Sequence, residues 1–442
     1  MSKATTANTI YSPRYRNYAL AILFLGYVVN FIDRSILSIL LEPIKQELLL
    51  SDTELGLLGG LAFAMFYATL GIPIASLADR WSRTKVLAIS MIIWSAMTAL
   101  CGAANNFLML LLARIGVGVG EAGASPPSHS LISDYFPVEK RATALSIYAL
   151  GIPFGSMIGN FVGGWGAAEL GWRMTFLLVG FPGIFVAGII LTTLREPPRG
   201  MSESAAVKAA AAKNDEPAPA LKEVFKFLWQ RKSFRHLGFA AGLHAFVGYG
   251  AGVWNAPFLI RSHEMPITEV GSWLAIISGI GAIGTFGGGY LGDKLSDWTD
   301  DRRWYLWIAG ISTLVMVPFQ FTAYLYDGIW TVIPALAVVS ILGGMYLGPS
   351  FAMTQALVTL RMRAVASALL LFMLNIIGMW LGPYFVGIAS DLLNPSFEIH
   401  SLRYALCLCV LANLWAAVHY FLGATTLRED LDSTEVLMTQ HS

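Results

Sequence analysis

Twelve apolar stretches dominate the chain, and each is long enough to cross about 30 Å of hydrocarbon as a helix. Six of them precede a polar segment near residues 195–233, and six follow it. Only 13% of the 442 residues are charged, whereas soluble domains have about 25%. The sequence therefore predicts an all-α integral membrane protein with twelve transmembrane helices, at about 17–44, 53–78, 84–104, 106–134, 141–168, 172–194, 235–262, 267–293, 303–325, 328–356, 362–392 and 401–425.

The polar segment separates two predicted six-helix bundles. We expect an N-terminal bundle at 1–194, a cytoplasmic linker at 195–233, a C-terminal bundle at 234–425 and a cytoplasmic tail at 426–442. The linker contains the tracts AAVKAAAAK and PAPA, which are typical of flexible connections.

The end of the linker has a different pattern. Its apolar residues recur at the spacing of one helix face, at Leu221, Val224, Phe225, Leu228 and Trp229. This spacing predicts a short amphipathic helix lying at the membrane surface. The alternative is a loop in which the spacing is accidental.

The distribution of Lys and Arg predicts the orientation of the chain. With the N-terminus inside, the segments on that side hold 23 basic residues, and the opposite loops hold four, namely Lys45, Arg173, Arg261 and Arg403. Cytoplasmic segments carry such an excess. Both termini are therefore expected in the cytoplasm, in a multi-pass protein of the cell (inner) membrane. The N-terminal residues lack a signal-peptide pattern, so the first helix is expected to act as the targeting signal.

The two halves of the sequence resemble each other. ASLADR at 75–80 matches GYLGDK at 289–294, each after the second predicted helix of its half. Pro127 precedes Arg141 by the same interval as Pro349 precedes Arg363. Such repeats predict two pseudo-symmetric bundles and are typical of transporters whose substrate site lies between the halves.

Four charged residues are predicted deep in the membrane: Asp33 and Arg34 in the first helix, within NFIDRSIL, and Arg114 and Glu121 in the fourth. A charge at this depth costs at least ~2.5–3.5 kcal/mol, so such residues are usually paired and functional. A carboxylate that exchanges partners can take up and release a proton, and arginine suits an anionic head group. The alternative is that Arg114 and Glu121 only lock the fourth helix to the first.

The loop ASLADRWSRTK at 75–85 carries several charges in a short turn. It resembles the signature loop of the major facilitator superfamily, with Ala75 and Ser82 in place of two signature glycines. The resemblance implies a cytoplasmic gate formed by Asp79, Arg80 and Arg83, with Asp134 as a partner, and by Asp293 in the second copy of the motif. A solvated basic loop is the alternative.

Several motifs in order are similar to the Spinster family of lysolipid transporters: NFIDR, LADRWSRTK, ARIGVGVGEA, SLISDYFP and GIPFGSMIG. This resemblance implies that Asp33, Arg34, Arg114 and Glu121 couple substrate to protons, with Glu121 the single most important residue. It also implies an amphipathic, lysolipid- or sphingolipid-like substrate.

Other polar and aromatic residues are candidates for lining a central cavity: Asn30, Tyr27, His244, Trp254 and Asn375. A single polar residue inside a helix bundle more often bonds a neighbouring helix than a ligand. Aromatic residues near helix ends more often belong to the interfacial belt. Both alternatives stand beside the cavity interpretation.

The expected function is proton-coupled secondary active transport by rocker-switch alternating access. A small organic anion transporter of the same superfamily is the first alternative, and a lipid-modifying enzyme or a passive channel are others. The sequence contains no Walker A, HExxH or GxSxG pattern. We therefore expect no enzyme activity and no cofactor or metal, with the proton gradient as the source of energy.

The expected partners are protons, the lipid bilayer and a small amphipathic or anionic lipid substrate. The net charge of +1 argues against nucleic acid. The three cysteines lie in apolar runs and are expected to be packing thiols. The fold is expected to work as a monomer.

Overall fold

The computed structural model describes residues 11–202 and 221–440, and these residues form helices connected by short turns. Its first half contains six long helices. They are α1 (Pro13–Leu48), α2 (Asp52–Gly56, Leu57–Leu61 and Ala62–Arg80), α3 (Arg83–Cys101), α4 (Phe107–Glu121 and Ser125–Tyr135), α5 (Val138–Ala149 and Gly151–Glu169) and α6 (Gly171–Thr193).

The second half contains a short helix, Leu221–Gln230, and six long ones. The long helices are α7 (Lys232–His263), α8 (Ile267–Thr299), α9 (Trp304–Leu325), α10 (Ile329–Gly344 and Leu347–Ala356), α11 (Arg363–Met373, Leu374–Trp380 and Leu381–Phe397) and α12 (Ser401–Gln440).

Each of the twelve predicted stretches coincides with one of these helices, so the predicted all-α membrane fold is confirmed. Ten helical stretches of the described residues are long and apolar enough to cross a membrane. One of them, Arg363–Thr434, contains α11 and most of α12, and among the described long helices α7 lies outside the ten stretches. Since hydrocarbon offers the backbone no hydrogen-bond partner, a helix is the structure that a single spanning segment can adopt.

Two of the helices contain a π-helical turn, Leu57–Leu61 in α2 and Leu374–Trp380 in α11. Turns of this kind insert a residue into the regular hydrogen-bond pattern and often occur at functional sites. The two turns approach each other closely. A Cβ on Gly60 would lie 2.7 Å from the carbonyl oxygen of Trp380.

The described chain forms two compact units, and they do not follow the sequence order. The first unit holds residues 11–36 and 66–202, and the second holds residues 37–65 and 221–440. The end of α1 and the start of α2 therefore pack with helices of the second half. Gly56 contributes to this packing, because a Cβ there would lie 2.7 Å from the carbonyl oxygen of Pro383 in α11.

In the second unit, the short helix and the end of α12 share one apolar core. Val224 and Leu228 are fully buried there, together with Leu427 and Leu431 of α12. Residues 426–440, which follow the last predicted apolar stretch, continue α12 as a helix.

In the first unit, glycines of α5 bring it into contact with α1. Gly151, Gly155 and Gly159 recur every four residues and face Tyr27, Phe31 and Ile32 in turn. Small residues at this spacing let two helices approach closely in a membrane. The contact fixes the part of α1 that carries Asp33 and Arg34.

We predict that Gly155→Ala weakens this contact, because the added Cβ would lie 2.5 Å from both the Cβ of Phe31 and the carbonyl oxygen of Val28. Overpacking of this kind costs about 1–3 kcal/mol. Thermal unfolding of the purified protein should show a lower midpoint. Gly188→Ala in α6 is the matched control, because nothing lies within 4 Å of its Cβ position. Equal midpoints for the two variants would contradict the packing argument.

Candidate functional site

An ion pair joins α1 to α4 inside the first unit. Arg34 Nε donates to Glu121 Oε2 at 2.6 Å. Glu121 is fully buried, and the Arg34 side chain is 18% exposed. The Arg34 guanidinium also lies over the rings of Phe31 and Tyr67, at 5.0 and 4.7 Å from their centroids. An anionic group that reached Arg34 would therefore meet a cation surrounded by aromatic surface.

Asp33 lies beside this pair without joining it. Its carboxylate is fully buried, and neither oxygen has a hydrogen-bond partner among the described residues. The charged groups that act on it most strongly are Glu121 and Arg114, and the Thr98 hydroxyl of α3 faces it outside hydrogen-bond geometry. A single ionised carboxylate in such surroundings is so costly that it is normally neutralised.

The polar cluster continues onto neighbouring side chains of α1 and α4. Arg114 and Asn30 are nearly fully buried. The side-chain nitrogen and oxygen of Asn30 have no hydrogen-bond partner among the described residues, and the same holds for Glu121 Oε1. The four residues predicted to lie deep in the membrane are thus brought into one buried cluster.

Glycines of α4 place α3 against this cluster. A Cβ on Gly120 would lie 2.6 Å from the backbone nitrogen of Trp94, and one on Gly116 would lie 2.6 Å from the Met97 side chain. The close approach carries Thr98, one turn further along α3, towards Asp33. The glycines between Arg114 and Glu121 therefore allow a third helix to reach the charges.

A second polar network lies at the α2–α3 turn of the first unit, where the sequence predicts a gate. Arg83 is 1% exposed. Its guanidinium donates to the carboxylates of Asp134 and Glu196 and to Ser130 Oγ and Pro197 O. Arg83 thereby ties the turn to the end of α4 and to the segment after α6.

The other residues predicted for this gate are placed differently. Arg80 is exposed at the end of α2. The side chain of Asp79 lies outside the part of the chain that the structure describes. In the second unit, Asp293 is exposed and accepts a hydrogen bond of 2.6 Å from the Tyr305 hydroxyl.

Glu196 was missed in the sequence, where it lies in the predicted linker. It accepts bonds from the backbone nitrogen of Thr84 at 2.9 Å and from Ser82 Oγ at 2.9 Å, besides Arg83 Nε at 2.7 Å. Partial burial acts against the ionised form, but the Thr84 amide and the Arg83 guanidinium outweigh it and lower the pKa of Glu196. Its segment, EPPRG directly after the sixth helix, has the composition of a linker, so no signal in the sequence indicates these bonds.

Two of the three cavity candidates in the second unit, His244 and Trp254, bond to neighbouring helices. His244 is buried, and its ring nitrogens lie 2.8 Å from Thr313 Oγ1 in α9 and 3.1 Å from Gly343 O in α10. Trp254 is buried and donates to Pro383 O at 2.9 Å. Asn375 is buried in the π-helical turn of α11.

Tyr27, the aromatic candidate of the first unit, is half-buried. It stacks on Tyr148 of α5, with ring centroids 4.2 Å apart.

A third network lies in the second unit, around the loop between α1 and α2. Arg261 of α7 donates to Glu42 at 2.6 Å and to both oxygens of Asp52 at 2.8 and 3.0 Å. Lys45 and Ser390 each donate to Asp52 at 2.6 Å. Asp52 is 1% exposed. The four donor atoms of Arg261, Lys45 and Ser390 compensate for the burial of its charge.

Asp391 of α11 caps the start of α2 in this network. Its carboxylate accepts bonds from the backbone nitrogens of Asp52 at 3.1 Å and Thr53 at 2.7 Å. These amides are among those that have no partner within a helix. Ser51 and Glu54 complete a capping box at the same end. Sequence reasoning missed this network, because Lys45 and Arg261 look like ordinary loop charges.

The arrangement of helices and buried charges is that of a membrane transporter. Two sets of six long helices, repeated motifs at corresponding turns and a buried ion pair on α1 and α4 are features of secondary transporters. The sequence model of the Major Facilitator Superfamily matches residues 23–425. The chain therefore belongs to that superfamily.

This chain is similar to bacterial membrane transporters. An MFS-type efflux pump of Mycolicibacterium smegmatis is 33% identical over 95% of each chain. A hexuronate transporter of Bacillus subtilis is 27% identical, over 61% of this chain and 63% of that protein.

A crystal structure of a bacterial homolog to the human lysosomal transporter Spinster, inward-facing and unoccupied, superposes with a TM-score of 0.85. It is 32% identical and covers 95% of this chain and 99% of its own. The predicted resemblance to the Spinster family is confirmed.

We predict that Arg83→Ala destabilises the first unit strongly. The change leaves Asp134 and Glu196 without the guanidinium that both contact, and breaking a buried ion pair costs about 3–5 kcal/mol. Arg80→Ala removes the same charge from an exposed position nearby and should change the unfolding free energy by less than about 0.5 kcal/mol. Thermal unfolding of both variants measures the difference. Similar losses of stability in the two variants would contradict the buried, bridging role of Arg83.

Proposed function

We propose that this chain is a proton-coupled secondary active transporter that moves an amphipathic, lysolipid-like substrate by alternating access. The observation that carries the proposal is the buried cluster of α1 and α4, in which Arg34 and Glu121 pair while Asp33 has no hydrogen-bond partner among the described residues. A purely structural charge cluster would be expected to satisfy all its members, since an incomplete polar network is unfavourable.

The cluster supports a proton on Asp33 in this state. A buried carboxylate that accepts no hydrogen bond is most stable when neutral. In this proposal Glu121 carries the charge, because its bond to Arg34 favours the ionised form. In the proposed cycle Asp33 releases its proton when it gains Arg114 as a partner, and it is protonated again when the two separate.

Substrate enters this cycle at Arg34. A phosphate or carboxylate head group can take the place of Glu121 on the guanidinium. Glu121 is then a buried carboxylate that has lost its cation, and it takes up a proton. Binding of an anionic head group and binding of a proton are coupled in this way through one arginine.

The surroundings of Arg34 support an amphipathic substrate. Phe31 and Tyr67 lie against the guanidinium, and Tyr27 with Tyr148 adds a stacked aromatic pair in the same unit. An apolar chain attached to the head group would find aromatic surface next to the cation. The similarity to the bacterial Spinster homolog extends over most of both chains and supports transport as the function. The lysolipid-like substrate class is what the resemblance of the sequence motifs to the Spinster family implies.

A small organic anion transporter is the second candidate. It is favoured by the similarity to the hexuronate transporter, although the chain spans less than two thirds of that protein. The pairing of Arg34 with Glu121 would serve a carboxylate substrate equally well. The two candidates differ in whether the substrate needs an apolar tail.

We further propose that the networks around Arg83 and Arg261 are the two gates of alternating access, with both chain termini in the cytoplasm. Each network centres on an arginine that bridges two carboxylates. The Arg261 network holds the α1–α2 loop to α7 and α11, and its donors must separate when that end opens. The Arg83 network would hold the cytoplasmic gate closed, on the side where the termini are proposed to lie.

Transport into proteoliposomes tests the proposed function. We expect a fluorescent lysolipid to accumulate in response to an imposed pH gradient and a hexuronate to remain at its passive level. Glu121→Gln and Asp33→Asn should each abolish accumulation driven by the gradient, because the amide takes up no proton. Both variants should retain exchange of substrate between the two sides.

Glu169→Gln, at an exposed position of α5, makes the same chemical change outside the site and should leave accumulation intact. Accumulation of the hexuronate alone would support the second candidate. Accumulation by Glu121→Gln at the unmodified level would remove that residue from the coupling role.

The Arg261 network yields a separate prediction. Arg261→Ala leaves Asp52 and Glu42 without their bridging cation, at a cost of about 3–5 kcal/mol. Amide hydrogen exchange in residues 49–56 should then rise by about 100-fold or more. Arg361→Ala, an exposed arginine of the same unit, is the control. Unchanged exchange in that segment would contradict the role of Arg261 as a latch.

A further inference from the structure

The short helix Leu221–Gln230 has two apolar faces, and the described residues cover only one of them. Val224 and Leu228 are fully buried in the core of the second unit. Leu221, Phe225 and Trp229 form a neighbouring stripe at every fourth position and are 49%, 42% and 36% exposed. Large apolar side chains grouped on a surface indicate a contact with a partner or a membrane.

The orientation of this stripe is fixed by contacts at the start of α7. Arg231 is buried, and its guanidinium donates to Thr434 Oγ1 of α12 at 3.0 and 3.2 Å and to Phe227 O at 3.1 Å. Asp430 of α12 accepts bonds from the backbone nitrogen and hydroxyl of Ser233 at 2.9 and 2.6 Å. The helix therefore cannot roll to bury the stripe without breaking these bonds.

The exposed stripe continues onto the long helices. Phe225 stacks on Trp229 at 5.3 Å between ring centroids, and Trp229 contacts Phe239 of α7 at 6.1 Å. Phe239 is itself exposed, and its ring lies 5.9 Å from that of His419 in α12. The aromatic strip therefore runs from the short helix onto the exposed surface of α7 and towards α12.

Two lysines border the stripe on the side away from the protein. Lys222 and Lys226 are exposed, and each follows a stripe residue, so it lies about 100° around the helix from it. Lys232 is also exposed, at the start of α7. An apolar stripe with lysines along one edge matches the boundary between acyl chains and phosphate groups of a bilayer.

We propose that the surface formed by Leu221, Lys222, Phe225, Lys226 and Trp229, here called the aromatic–lysine face, binds an anionic phospholipid. The two ammonium groups contact the phosphate of the lipid, and the aromatic stripe contacts its glycerol and upper acyl region. The face contains none of the residues assigned to transport, so it is a lipid site distinct from the substrate site. Bound lipid would hold the end of the linker and the end of α12 against the bilayer.

Quenching of Trp229 by brominated lipids tests the location and the selectivity of the site. The protein is placed in nanodiscs that contain brominated phosphatidylglycerol or, separately, brominated phosphatidylcholine at the same fraction. The part of the quenching that disappears in Trp229→Phe belongs to Trp229. This part should be larger with the anionic lipid, and equal quenching by the two lipids would overturn the proposal.

Removal of charge provides the second test. Lys222→Gln/Lys226→Gln should lower the affinity for phosphatidylglycerol by about fivefold for each lysine, the equivalent of about 1 kcal/mol each. Lys85→Gln/Lys294→Gln removes two exposed lysines elsewhere and is the matched control. Native mass spectrometry of retained lipid measures the change. A loss of the same size in both double variants would overturn the proposal, because the effect would then reflect total charge.

Discussion

The ion pair between Arg34 and Glu121 is the interaction on which the arrangement of the first unit depends. Taking either charge alone into the interior costs several kcal/mol, so α1 and α4 must be held at a distance that keeps the 2.6 Å bond. Glycines of α5 let α1 approach, and glycines of α4 let α3 approach. The small residues of this unit thus lie where the charges require close helices.

Three arginines organise the polar interior of the protein in two different ways. Arg83 and Arg261 each bridge two carboxylates from different elements, which is the geometry that a planar guanidinium favours. Arg34, in the middle of α1, bonds Glu121, while the adjacent Asp33 accepts no bond from the described residues. The networks around Arg83 and Arg261 are therefore satisfied, whereas the cluster around Arg34 is incomplete, as expected for contacts that a transporter must rearrange.

Hydropathy predicted all twelve helices because the bilayer requires each spanning segment to be about 20 residues long and predominantly apolar. It did not predict the break of α10 near Met345 or the π-helical turns of α2 and α11, since these leave the apolar pattern unchanged. The depth of four charges in membrane-length helices, together with the motifs that resemble the Spinster family, made Asp33, Arg34, Arg114 and Glu121 candidates, and the structure brings them into one cluster.

The Arg261 network was not predicted, because α7 and α11 lie more than 200 residues along the chain from the α1–α2 loop that they contact. Arg261, Glu42, Asp52 and Asp391 each resemble a solvated charge at a helix end, and only the packing of residues 37–65 with the second unit brings them together. Glu196 was missed for a similar reason. A segment of Glu, Pro and Arg after a helix has the composition of a linker, and its bonds to the α2–α3 turn depend on the fold.

The placement of Asp33 next to Arg34 follows from helix geometry. Consecutive residues point about 100° apart on a helix, so the two charges do not pair with each other, although they are neighbours in the chain. Arg34 reaches Glu121 and the rings of Phe31 and Tyr67. Asp33 faces Thr98 and is acted on by the charges of Glu121 and Arg114. Each charge must find its partner on another helix, so a movement of α1 changes both environments together. In the proposed cycle this is the reason for adjacency: one helix carries the substrate-binding cation and the proton-binding carboxylate, and neither can change partner without affecting the other.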